Sequence, residues 1–82
     1  MPFTLNIHSW KVDAQQVDDV VSLAFFSSLG CHEILQNHEP IFTTVSPNLL
    51  KYRCKDGEPK EVQLPEGGFL KFDSAQCDVW IK

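Results

Sequence analysis

The first half of the chain is poor in positive charge. Residues 1–50 hold one basic residue, Lys11, against five acids: Asp13, Asp18, Asp19, Glu33 and Glu39. The second half is balanced, so the net charge of −4 belongs to the first. Nucleic-acid affinity comes mostly from cationic contacts to phosphate, and this balance argues against DNA or RNA as a partner. It suits a basic protein surface instead. Cysteine is scarce and odd in number. Cys31, Cys54 and Cys77 cannot close into a disulfide framework within one chain. No charged n-region precedes an apolar stretch, so no secretory leader is expected. Free thiols in a reducing, cytoplasmic compartment are the expectation. Long hydrophobic runs are missing too. The longest, Val20 to Phe26, is broken by Ser22 and falls far short of the roughly 20 residues that span a bilayer.

Catalytic patterns are equally thin. Asp18 and Asp19 point about 100° apart on a helix, so they do not share one site. Gly67-Gly68 lacks the lysine and the strand–loop–helix setting of a phosphate cradle. No Ser-His-Asp order stands out, so neither an enzyme nor a cofactor is expected. Cys31, His32, His38 and Glu39 form the one cluster of metal-ligand types. Adjacent Cys-His chelates poorly and no second arm exists, so a metal domain through Cys31, His32 and His38 stands only as an alternative.

What is present is an ordinary globular composition, 43% hydrophobic and 22% charged over 82 residues, which implies one domain over residues 1–82. Phe3, Leu5 and Ile7 alternate with polar residues and predict a strand over 3–11. Asp13 reads as a helix N-cap with Gln16 completing a capping box. Val17, Val20, Val21, Ala24 and Phe25 then follow helical spacing, predicting a helix over 14–29 that ends at Gly30. Leu23 and Phe26 fall off that apolar stripe. The segment 31–40, with one helical turn around Glu33–Gln36, is expected to fold back over them through Ile34 and Leu35. Ile41–Val45 is β-branched and reads as a strand, followed by a Ser46-Pro47-Asn48 turn.

Hairpin register follows from apolar matching. A loop over 55–59 pairs Tyr52 with Val62 and Leu50 with Leu64. A loop over 66–68 pairs Leu64 with Leu70. A turn over 73–76 pairs Phe72 with Cys77, Leu70 with Val79 and Lys71 with Asp78. The expected fold is therefore α+β in the order β-α-β-β-β-β. One main helix covers one face of a mostly antiparallel sheet of about five strands.

That register sets Phe69 opposite Trp80, both turned from the helix-covered face, with Trp10 in the same outward phase. Lys71, Arg53 and His8 are placed around them. Exposed aromatics rimmed by polar groups mark interaction sites. The chain reads as a small acidic, non-catalytic protein–protein interaction module, of the inhibitor or immunity type found in phages and other mobile elements. Its partner-binding residues are expected to be Trp10, Phe69, Trp80, Lys71 and Phe26, with Asp18 and Asp19 steering a basic partner. An open edge, the C-terminal strand or Ile41–Val45, would permit a homodimeric adaptor. The rival class is single-stranded nucleic-acid binding by base stacking on the aromatics.

Overall fold

The computed structural model describes residues 2–9, 14–36 and 38–82. Eight strands make up the regular structure: β1 Phe3–Ser9, β2 Gln15–Ser27, β3 Gly30–Leu35, β4 Ile41–Val45, β5 Asn48–Cys54, β6 Lys60–Leu64, β7 Gly68–Asp73 and β8 Gln76–Ile81. Among the described residues no helix occurs, and none therefore crosses a membrane. The strands follow the order β4-β7-β8-β1-β2-β5-β6, with β3 also on β2. The first half of β2 lies beside β1, and its second half lies between β3 and β5. β2 thus carries the chain from one layer to the other. Phe3, Leu5, Leu70, Phe72, Cys77 and Val79 of the first layer meet Leu23, Phe25, Ile34, Leu50, Tyr52 and Leu64 of the second in one buried cluster. Two facing layers that alternate inward apolar and outward polar residues make a β-sandwich.

The helix expected over 14–29 is corrected to a strand, and with it the α+β class. The cause is visible in the register. Between Leu5 and Phe3 of β1, β2 advances from Val17 to Val20, one residue too many. Against β5 it gains another between Val20 and Ser22. These two bulges shift the inward positions to Val17, Val20, Leu23 and Phe25, and the spacing of three imitates a helix. Asp19, at the first bulge, takes a left-handed φ of 59°, which short polar residues tolerate best. Its carbonyl accepts a hydrogen bond from the Lys55 amide at 2.9 Å, which holds the bend against the end of β5. Leu23, off the helical stripe, is fully buried. The expected N-cap, Asp13, lies outside the described residues.

The helical turn around Glu33–Gln36 is likewise replaced by β3, which pairs Phe26 with Cys31 and Leu23 with Ile34. Ile34 is in the core, whereas Leu35 stays exposed. The β5–β6 hairpin forms two residues away from the expected register, with Leu50 opposite Val62 and Asn48 opposite Leu64. A shift of two keeps every side chain on its face, so inward alternation alone does not choose between the registers. The expected β6–β7 hairpin is absent: β6 is an outer strand on β5, and β7 lies between β4 and β8. Gly67 and Gly68 serve that crossover. Gly67 has a φ of 74°, and a Cβ on Gly68 would land on the Trp80 carbonyl. The C-terminal strand is central and parallel to β1, while Ile41–Val45 does lie at an outer edge.

The β7–β8 register agrees with the apolar matching, from Phe69 on Trp80 to Phe72 on Cys77. Its turn is tighter than expected. Asp73 pairs with Gln76, and Ser74 and Ala75 both take positive φ, 51° and 63°. That mirror-image turn matches the right-handed twist of the strands it joins.

Candidate functional site

The outer face of the β4-β7-β8-β1 layer carries two rungs of side chains. One runs Thr44, Phe69, Trp80, His8; the next runs Phe42, Lys71, Asp78, Asn6. Inward Leu70, Phe72 and Val79 are buried, and strand alternation then fixes Phe69, Lys71, Asp78 and Trp80 outward. Phe69 and Trp80 are each 39% exposed and Phe42 is 69% exposed. The His8 ring stacks on the Trp80 indole at 5.4 Å and 17°, while its Nε2 lies 3.0 Å from Asp78 Oδ1. Lys82 Nζ sits 5.7 Å from the Phe69 ring centroid. The aromatic rings are thus held across one face by polar groups. A side chain already fixed in place loses less entropy on docking.

The structure groups only part of the expected set. Phe69, Trp80 and Lys71 share this face with His8. Trp10 lies outside the described residues. Arg53 and Phe26 project from the opposite outer face, that of β2, β3, β5 and β6. There Phe26, Ala24, Cys31 and Leu49 border a depression of about 370 Å³, with Lys51 and Glu61 at its rim. The Lys51–Glu61 pair spans 3.8 Å between half-exposed side chains and contributes at most about 1 kcal/mol. Asp18 and Asp19 sit at the β2 bulge, not on a helix. The Asp18 carboxylate accepts hydrogen bonds from Gln16 at 3.0 Å and Thr4 at 3.5 Å, so it is committed within the fold. Phe42, which the sequence patterns do not single out, joins the first face beside Lys71. Its signal was the alternation of Ile41, Thr43 and Val45, which turns Phe42 outward once Val45 is in the core.

The metal alternative is corrected by geometry. Cys31 faces outward and is exposed. Its neighbour His32 turns the other way, stacks on buried Phe25 at 5.3 Å and shares a 2.7 Å hydrogen bond with Ser27 Oγ. His38 hydrogen-bonds the Glu39 carbonyl and lies edge-on to Phe72. Among the described residues no group of three or more His, Cys, Asp or Glu converges on a point that could hold a metal. Cys77 is no nucleophile either. Burial, and then the negative charge of Asp78, push its thiol from 9.0 up to about 12.

Comparison with known proteins gives this architecture a family context. Residues 4–82 match the family described as ATP synthase, Delta/Epsilon chain, beta-sandwich domain. A chain from the cryo-EM structure of Euglena gracilis mitochondrial ATP synthase, in rotational state 1, superposes with a TM-score of 0.86 at 17% identity. The match covers 98% of this chain and 50% of that one. A chain from the central stalk and c-ring structure of Tetrahymena thermophila mitochondrial ATP synthase gives 0.79 at 11% identity, covering 99% and 63%. This chain therefore spans less than two thirds of either. No curated protein matches it. The family match over nearly the full length overturns the expected phage-type inhibitor, immunity protein or homo-oligomeric adaptor, and also the nucleic-acid and metal-binding alternatives.

Proposed function

Since the chain belongs to the ATP synthase delta/epsilon chain beta-sandwich family, we propose that it is a non-catalytic part of an ATP synthase and docks on a protein of the central stalk. The family match over residues 4–82 carries this reading. The two structural neighbours support it, one from an assembly of OSCP, F1 and c-ring and the other from a central stalk and c-ring. The chemistry of the outer face agrees. A docking subunit needs a rigid, largely apolar grip, and aromatics oriented by the His8–Asp78 hydrogen bond and by Lys82 provide one. Phe69 and Trp80 are the anchors. Lys71, set between Phe42 and Asp78, supplies polar rim contacts. Both neighbours come from mitochondrial assemblies, so this reading replaces a general cytoplasmic home with the aqueous side of an energy-coupling membrane.

The test is assembly. The tagged full chain, expressed in its native host, should co-migrate with the ATP synthase on a native gel stained for ATPase activity. Phe69→Ala with Trp80→Ala should lower its share in that band at least tenfold with the circular dichroism spectrum unchanged. A chain that never enters the band refutes the proposal.

A further inference from the structure

We propose that β4 is an open docking edge that takes an extended, uncharged segment of the stalk partner as a further strand of the sheet. The inference rests on the central-stalk reading for the partner and deepens it by naming how the partner binds. Sheet edges expose unpaired N–H and C=O groups, and proteins usually protect them with charge, proline or cover. Two outer strands here are protected in that way. β6 carries Lys60 and Glu61 and is bracketed by Pro59 and Pro65. β3 carries the charge of Glu33. β4, Ile-Phe-Thr-Thr-Val, is likewise flanked by Pro40 and Pro47 but, unlike β6, carries no charge.

The ladder identifies which groups are open. β4 pairs with β7 from Ile41 on Phe72 to Val45 on Gly68. Just past its end, the Ser46 N–H donates to the Phe26 carbonyl of β2 at 2.8 Å instead of to β7, so β2 closes this side at its C-terminal end and, among the described residues, the stretch from Phe42 to Thr44 is left open. Antiparallel strands alternate the side to which backbone groups point. The same phase therefore turns the Phe42 and Thr44 amides away from β7. The Thr44 carbonyl accepts a hydrogen bond from the Thr43 hydroxyl at 3.2 Å, a substitute for the N–H of a neighbouring strand.

The occupant follows from these groups. Only an extended backbone pairs with a row of such amides and carbonyls, and strand addition is the mode that uses them. Its side chains would lie beside Phe42 and Thr44, which are uncharged, so charge there would be left without a partner. The edge is continuous with the docking face, because Thr44 is beside Phe69 and Phe42 is beside Lys71. An added strand would extend the Trp80–Phe69–Thr44 rung.

The experiment is hydrogen exchange of the peptide spanning 41–45, in the free chain and in the assembled ATP synthase. Assembly should slow exchange at Phe42 and Thr44 at least a hundredfold. Thr44→Pro, which removes an outward amide and leaves the β7 pairing intact, should cut incorporation at least tenfold. Phe42→Lys, which places a charge on the edge, should do the same if the proline variant fails to fold. An assembled chain whose 41–45 segment exchanges as fast as the free chain overturns the edge proposal and leaves the stalk reading standing. A chain that does not assemble overturns both. A dimer of this chain joined through β4 also overturns it.

Discussion

Stability should fall at alkaline pH through one thiol. Cys77 is fully buried on β8, beside Leu5 of β1 and Phe72 of β7. The folded protein holds its proton up to about pH 12, where the ordinary value is 9.0. The sign follows from linkage. Because the folded value is raised, the stabilising contribution is complete below the unfolded value. It is lost as pH climbs toward the folded one, since the unfolded thiol ionises and the folded thiol does not. Each unit is worth about 1.4 kcal/mol, so the loss is about 2 kcal/mol at pH 10.5. That is a large share of the roughly 4–12 kcal/mol expected for a chain of this length. Urea unfolding of the wild type and of Cys77→Ala at pH 8 and pH 10.5 measures it. The alanine variant loses packing equally at both pH values, and lysine and tyrosine titration is common to both proteins. The stability gap between them should therefore narrow by about 2 kcal/mol at pH 10.5. A gap that stays constant refutes the argument.

Two further predictions address the bulged strand and the crossover. Leu23→Ala should cost about 3 kcal/mol in urea unfolding, the usual loss for a fully buried leucine. Val21→Ala, at a half-buried position, should cost under about 1 kcal/mol. Equal costs would contradict the strand register. Gly68→Ala should lower stability by about 3 kcal/mol or abolish folding, because its Cβ meets backbone that cannot yield. Gly57→Ala, where the nearest atom lies 3.8 Å away, is the control, and thermal melts of the two variants compare them.

Legibility varied by element for physical reasons. The β7–β8 hairpin was readable because a short turn and an apolar match specify one register. The aromatic pair Phe69 and Trp80 came with it. β2 imitates a helix in the sequence because two extra residues give its inward positions helical spacing. Leu23 and Phe26, the residues that did not fit, held the correction, along with the β-branched Val17, Val20 and Val21, which favour strands. The β6–β7 crossover was unreadable, because Gly67-Gly68 suits a hairpin and a change of layer equally well. The outward position of Phe42 depended on which strand β4 would join, and Phe42 pairs with Lys71, 29 residues on in the chain.

Composition and alternation by themselves determined a compact, acidic chain with unbridged thiols, the outward pairing of Phe69 with Trp80, and a strand at Ile41–Val45. Those features rest on interactions between near neighbours, which local pattern records. The tertiary structure alone decided that β2 bends through two bulges, that the first and last strands lie side by side, and that a second β layer covers the inner face where a helix was expected. Each rests on pairing between distant segments, where burial against the opposite layer outweighs local propensity. The same pairing gathers Phe42, Phe69, Trp80 and His8 onto one outer face.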